Sequence, residues 1–261
     1  MNNMKKSILN KIGIVSGILF LAVWELVVVF LKVPIFILPP PSRIFIALWS
    51  LKKVLFLTHL PVTLVEVIVG LVISVIISII LSLLMLKAPI LEKSIYPFLV
   101  ASQTIPIIVL SPVVIMWFGY GLPGKVAITI LITFFPIVVN TYDGLKNVDY
   151  RYINLLKTMG ANARQIFWKV RVPAALPGFF TGLKVGAAVS VIGAVIGEWL
   201  GGNAGLGVFS RRMASNLQAD AVFAAVLILA MLGMGLFKFV NILEKNLMPW
   251  YFQTKKNRSE S

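Results

Sequence analysis

Apolar residues fall in long uninterrupted blocks. Residues 67–86, 94–124 and 126–142 contain no Asp, Glu, Lys or Arg. A helix needs about 20 mostly apolar residues to cross the hydrocarbon of a bilayer, so the blocks predict membrane-spanning helices. Six are read: Ile12 to Leu31, then roughly 60–86, 94–118, 125–143, 176–200 and 221–243. The first follows Lys5, Lys6 and Lys11. A cleaved signal peptide is the alternative there, but its apolar core is about 7–15 residues and ends in a small-residue cleavage site. This block is longer and runs into "VPIFILPPP", so it is read as a retained span with its N-terminus inside.

The breaks between blocks carry their own signals. Pro39, Pro40 and Pro41 stop a helix. Ser42 is placed to cap a short helix with Ile44, Phe45, Leu48 and Leu51 on one face, either lying at the outer surface or packed as a connector. The third span contains Pro97, Pro106 and Pro112. Prolines break or kink a membrane helix, and the freed carbonyls need protein or water around them. A helix facing a cavity and a helix kinked for packing both satisfy that.

Charge then fixes the orientation. Hydrophobic residues make up 59% of the 261 and charged ones 13%, with a net charge of +15, against about 25% charged in soluble domains. The cations sit between the blocks. With six spans and both termini inside, 17 of the 24 Lys and Arg fall on the inner side or its helix ends, including Lys255, Lys256 and Arg258 in the tail. Seven fall outside: Lys32, Arg43, Lys52, Lys53, Lys125, Arg211 and Arg212. That asymmetry is the positive-inside pattern. No basic face is interleaved with base-reading groups, so nucleic acid is not the expected partner. No cysteine is present, which excludes disulfides and thiolate chemistry. The lone His59, at the start of a block, reads as an interfacial or packed residue, and no multi-histidine metal site is possible.

"GYGLPGKV" (119–126) has near P-loop spacing, but Val126 stands where the motif needs a hydroxyl and no strand precedes it. It reads as a tight turn between two helices on the outer side. The stretch 157–178, "KTMGANARQIFWKVRVPAALPG", is different: basic, and on the inner side. Residues 150–159 are helix-compatible, and Gly160 suits the left-handed position after a helix end. Asn162 can cap the next helix, with Gln165 three residues on to reach back. Ile166, Phe167 and Val170 repeat at helical spacing. Pro173 is expected to end that helix and Pro177 to open the fifth span. Two short helices would then project an apolar, basic knob too short to fold alone.

The order Gly160, nine residues, Val170, Arg171, Val172, Pro173 resembles the EAA loop of bacterial ABC import permeases, E-A-A-x3-G-x9-I-x-L-P. Asn154, Leu155 and Leu156 stand where Glu-Ala-Ala is usual, while the glycine and proline match. "LPVTLVEVIVG", "SQTIPIIVLSPVVIMWFGYG", "FFPIVVNTYDGL", "VPAALPGFFTGLKVG" and "GEWLGGNAGLG" are similar to the same family, over about residues 60–245. The nearest branch is that for nitrate, sulfonate, taurine and thiamine precursors. The resemblance implies an all-α integral membrane protein of the type I ABC importer permease fold. It implies an N-terminal helix and outer segment (1–59), the permease domain (60–245) with coupling helices at about 150–172, and a cytoplasmic tail (246–261). It further implies a bacterial inner-membrane location, a second permease copy as homodimer partner, two cytoplasmic ATP-binding subunits and an extracytoplasmic substrate-binding protein. No cofactor is expected on this chain, because ATP and Mg would be handled by the partner subunit. Leu155, Leu156, Gly160, Ala161, Asn162, Gln165, Val170, Val172 and Pro173 are the implied coupling residues.

For the path or gate the candidates are Pro106, Asn140, Gly186, Ser190 and Glu198. Gly178, Gly182, Gly186, Ser190 and Ala194 recur every four residues, and Gly193, Gly197 and Gly201 form a second row. Small residues at this spacing let helices approach closely. Glu198 is an acid inside an apolar block, a costly placement that points to a cavity or a partner. An interfacial acid beside Trp199 is the other reading, and Glu25 and Glu66 raise the same question. An intramembrane serine or aspartyl enzyme lacks the Ser–His or Asp pair it would need, and a secondary transporter lacks an evident inverted repeat. The best-matching substrate class is a pyrimidine precursor of thiamine, with sulfonate, taurine or nitrate as alternatives.

Overall fold

The computed structural model describes residues 2–252, with side chains from residue 12 onward except that of Ile14. The last part of the tail, with Lys255, Lys256 and Arg258, lies outside the described residues, as do the side chains of Lys5, Lys6 and Lys11. The described residues are helical and contain no strand. Helices α1 (Asn2–Phe30) and α2 (Pro41–Ser50) come first, then a π-helical turn (Val54–His59) leads into α3 (Leu60–Lys87). Next are α4 (Pro89–Ser102), α5 (Ile107–Phe118), α6 (Leu122–Lys146), α7 (Tyr150–Thr158) and α8 (Ala163–Ile166). A second π-helical turn (Phe167–Arg171) joins α8 to α9 (Val172–Gly201), followed by α10 (Leu206–Ser215) and α11 (Ala219–Leu247).

Among the described residues four helical stretches are long and apolar enough to span a bilayer: Val54–Lys87, Leu122–Lys146, Ala163–Gly201 and Ala219–Leu247. The expected third span is two helices, α4 and α5, bent by 110°; taken together they make a fifth. The break falls at residues 103–106, and Pro106 flanks it as the residue before α5. It leaves a cleft of about 330 Å³ lined by Phe98, Ser102, Gln103, Ile105 and Phe135 among others. Helix α1 carries the first apolar block, from Ile12 to Phe30. Its Phe30 is 88% exposed.

The centre is a three-helix unit of α3, α6 and α9. The serines of α3 recur every four residues and face α6. Ser78 Oγ donates to the Phe134 carbonyl (3.0 Å) and Ser82 Oγ to the Val138 carbonyl (3.1 Å). The constant offset of 56 residues means α3 and α6 run parallel. On the other side α9 lays its small residues against the α6 backbone in antiparallel order. A Cβ on Gly197 would sit 2.9 Å from Lys125 Cα, and one on Gly193 2.8 Å from Thr129 Cα. One on Gly186 would meet Ile137 at 3.0 Å, and Gly182 and Gly178 press on the Pro136 and Asn140 carbonyls. Ser78→Ala removes one interhelical hydrogen bond, worth about 0.6 kcal/mol on average in membrane helices. A small fall in thermal midpoint in detergent is expected, and Ser78→Ala with Ser82→Ala should fall about twice as far.

Two local expectations are corrected. Ser42 does not cap α2: the capping position is Pro40, and Pro41 occupies the first turn. The open N-terminus is served instead from α1, where Glu25 accepts from Ser42 N (3.0 Å) and Ser42 Oγ (2.7 Å). A carboxylate suits the positive end of a helix. Pro173 does not end the second knob helix, nor does Pro177 open the span. The chain stays helical from Ala163 to Gly201. Pro173 lies in the first turn of α9, where a missing N–H costs little, and Pro177 lies inside the helix.

Candidate functional site

The knob is built as its spacing suggests. Asp149 starts α7, accepting from Arg151 N at 2.9 Å. The Arg151 guanidinium pairs with the same carboxylate (Nη2 to Oδ2, 2.6 Å) and holds its pKa below the usual range, so the cap stays ionised. At the other end Gly160 has φ +79°. Its N–H donates to the Lys157 carbonyl (3.0 Å), and Ala161 N–H donates to the Leu156 carbonyl (2.9 Å). These are the two bonds of a Schellman ending, and Leu156 and Ala161 both pack on the small core beneath it. Asn162 and Gln165 then form a reciprocal capping box: Gln165 N to Asn162 Oδ1 at 2.9 Å, Asn162 N to Gln165 Oε1 at 2.8 Å. Two helices thus turn back on each other around Val148, Ile153 and Ile166, with Val170 against them.

The outward face is apolar and basic. Tyr150, Tyr152, Leu155, Met159 and Trp168 are exposed, as are Arg151, Lys157, Arg164 and Lys169. Of the coupling candidates, Leu155, Gly160, Asn162 and Gln165 are exposed, whereas Leu156, Ala161, Val170, Val172 and Pro173 are half-buried. The second group therefore shapes the knob and the first presents it. Asn162→Ala removes a cap bond worth about 1 kcal/mol. Faster hydrogen exchange over residues 163–167, with the spans unchanged, is the expected result.

At the opposite end of α3, α6 and α9 lies a buried polar cluster. Glu198 is 0% exposed. Its Oε1 accepts from Thr63 Oγ1 (2.6 Å) and its Oε2 from Gly207 N (2.5 Å). Thr63 Oγ1 in turn accepts from Leu206 N at 2.9 Å. Glu66, also 0% exposed, pairs with Lys125 (Oε1 to Nζ, 2.7 Å). His59 Nδ1 accepts from Gly205 N at 3.1 Å. The link from α9 to α10 is thereby tied to α3. Its glycines have a steric reason: Gly205 has φ +128° and a Cβ there would overlap the Glu198 carboxylate, while one on Gly207 would lie 2.8 Å from Glu198 Oε2. Glu198 is a packed acid with both oxygens bonded. His59 is a packed residue, as expected. Lys125, the lysine of the P-loop-like turn, is committed to Glu66, and that turn simply links α5 to α6.

The remaining path candidates are spread along the molecule. Asn140 Nδ2 donates to the Pro136 carbonyl of its own helix (2.8 Å). Gly186 is buried against α6, and Ser190 Oγ is buried with a bond to the Ala187 carbonyl (2.8 Å). Pro106 is exposed at the α4–α5 break. Sequence reasoning passed over Thr63, the Ser74–Ser78–Ser82 row and the pairing of Lys125. The signal was present: serines at four-residue spacing, and one lysine set against lone acids on other spans.

Residues 70–250 match the family model described as binding-protein-dependent transport system inner membrane component. The chain belongs to this family. Among relatives, this permease is 47% identical over 233 residues to the formylaminopyrimidine transport permease protein of Halalkalibacterium halodurans, covering 89% of this chain and 93% of that one. It is 37% identical over 237 residues to the riboflavin transport system permease protein of Chloroflexus aurantiacus, covering 90% and 88%. Against the taurine transport system permease protein of Escherichia coli identity falls to 25%, covering 87% and 85%. The permease is a multi-pass inner-membrane protein and a transport subunit without an ATPase site of its own.

Proposed function

We propose that this permease imports a substituted pyrimidine, of the formylaminopyrimidine type, as the membrane half of a binding-protein-dependent ABC importer. The observation that carries the substrate class is the 47% identity to the formylaminopyrimidine permease over nearly the whole of both chains. The riboflavin permease comes next among those compared, and riboflavin contains a fused pyrimidine ring, whereas similarity to the taurine permease is much lower. The working unit is two copies of this chain in six-span topology, two ATP-binding subunits that hydrolyse MgATP, and an outer binding protein. In that unit the 60–245 region forms the transport domain and the face around Leu155, Gly160, Asn162 and Gln165 docks on the ATP-binding subunit. The knob fits this because a small apolar and basic surface needs a partner to cover it. The path is assigned beside the α4–α5 break, where Ser102, Gln103 and Pro106 interrupt an otherwise apolar surface. Gly186 and Ser190 support it from behind by holding α9 to α6.

The test is uptake in proteoliposomes with the ATP-binding subunit and the binding protein. Labelled formylaminopyrimidine should enter only with ATP on the knob side and binding protein on the other, and excess taurine should not compete. Uptake of taurine but not of the pyrimidine would overturn the substrate class. Uptake by this chain alone without ATP would overturn the coupling scheme.

A further inference from the structure

The polar cluster at the ends of α3, α6 and α9 contains two acids and one lysine, all buried. The other buried acid in the spans, Glu244, has its own cation: Lys184 Nζ meets Glu244 Oε2 at 3.0 Å. An uncompensated charge at such depth is costly, so the cluster needs either a second cation or a proton. The cation is not His59. Its Nδ1 accepts from Gly205 N–H, which requires an unprotonated Nδ1, so that ring is neutral. Arg212 of α10 lies near but is exposed.

Donor and acceptor accounting says where a proton must be. Thr63 Oγ1 accepts from Leu206 N–H; its own hydrogen has two acceptors in reach, Glu198 Oε1 at 2.6 Å and the His59 carbonyl at 3.3 Å, and goes to the nearer, charged one. Gly207 N–H takes Glu198 Oε2. Both Glu198 oxygens are therefore acceptors, as in a carboxylate. Glu66 differs. Its Oε1 accepts from Lys125, but its Oε2 is buried with no donor. Glu66 follows Thr63 by three residues on the same face of α3, and Thr63 holds Glu198, so the two carboxyl groups share one cluster. Two carboxylates facing each other there would repel, and one oxygen would stay unsatisfied.

We propose that Glu66 is a proton-binding site: it carries a hydrogen on Oε2 and donates it to the Glu198 carboxylate. All four carboxyl oxygens are then bonded, and the cluster is neutral: Glu198 anionic, Lys125 cationic, Glu66 and His59 uncharged. The ligand is a single proton. Its role is to hold the link between α9 and α10 on α3, since Glu198 is the shared acceptor for Thr63 and Gly207. Loss of that proton leaves two anions against one ammonium and loosens the link.

The site makes the two acids unequal, which a packing role or an ordinary ion pair does not. Glu66→Gln keeps everything: its carbonyl accepts from Lys125 and its amide N–H replaces the proton toward Glu198. Glu198→Gln loses more: its amide N–H must face either the Gly207 N–H or the Thr63 hydroxyl, and in the second case Thr63 exchanges a 2.6 Å bond to a carboxylate for the 3.3 Å contact with the His59 carbonyl. In the full-length permease in lipid nanodiscs at neutral pH, Glu66→Gln should keep the parental thermal midpoint to within about 2 °C, while Glu198→Gln should lose several degrees. Infrared difference spectra between parent and Glu66→Gln should show a protonated carboxylic acid carbonyl band in the parent alone. If Glu198→Gln does not fold, the Glu66→Gln midpoint and the infrared band still decide. Absence of the band, its persistence in Glu66→Gln, or a Glu66→Gln midpoint as low as that of Glu198→Gln would overturn the proposal.

Discussion

Gly193→Leu should leave little folded permease in the membrane. The reason is backbone, not side chain. A Cβ at residue 193 would lie 2.8 Å from Thr129 Cα, so even the first added carbon forces α9 off α6. Overpacking typically costs about 1–3 kcal/mol, and leucine adds three further carbons where no side chain can step aside. Gly193→Ala should already lower the thermal midpoint clearly. Gly186 provides the internal comparison. Its added Cβ would meet the Ile137 side chain at 3.0 Å and the Thr133 carbonyl at 3.2 Å. Ile137 can shift its tip, so Gly186→Ala should be mild and Gly186→Leu severe. Membrane levels and detergent midpoints of the four variants give the order: Gly186→Ala mildest, Gly193→Ala next, the two leucines worst. Equal tolerance of all four would mean that α9 and α6 do not meet along this row.

That row shows what the sequence can carry. Gly182, Gly186 and Ser190 mark a close-approach face by spacing alone, because small residues every four positions lie on one side of a helix. Which helix lies opposite does not follow from spacing, although Thr129, Thr133 and Thr141 of α6 fall at the same four-residue step and are buried there. The knob is legible almost atom by atom. Gly160, Asn162 and Gln165 act through local backbone hydrogen bonds, and these close within a few residues. The buried cluster was legible only in part. Glu198 stood out as an acid in an apolar block. Its donors lie 135 residues away at Thr63 and in the glycine loop that follows. The pairing of Glu66 with Lys125 spans 59 residues and depends on α3 and α6 running parallel, which no local pattern encodes. Pro173 misled for a related reason: proline stops a helix interior but fits a first turn, and the π-helical turn before it lets the chain start a new helix without leaving the axis.

Gly160→Val should abolish transport while leaving the spans intact. Gly160 holds φ +79°, a region that a β-branched residue strongly disfavours. Space is not the obstacle, since nothing lies within 4 Å of a Cβ built there. The cost is conformational, on the order of 1–3 kcal/mol for a non-glycine residue held in such a region. The knob has only a small core of its own to oppose it. Forcing residue 160 out of the left-handed region breaks the bonds from Gly160 N–H to Lys157 and from Ala161 N–H to Leu156. The capping box at Asn162 is then aimed elsewhere. The α6–α9 contacts begin beyond the knob, at Gly144 and Ala175, and do not include Gly160, so membrane levels and thermal midpoint should match the parent. Capture of the ATP-binding subunit and ATP-driven uptake should both be lost. Substitution with asparagine separates conformation from side-chain chemistry, because asparagine enters the left-handed region more readily than other residues. Gly160→Asn should recover part of the subunit binding that Gly160→Val loses. If valine and asparagine bind and transport like the parent, the turn is not part of the docking surface. If both fail alike, it is the loss of an uncovered backbone at residue 160, not the turn, that the partner reads.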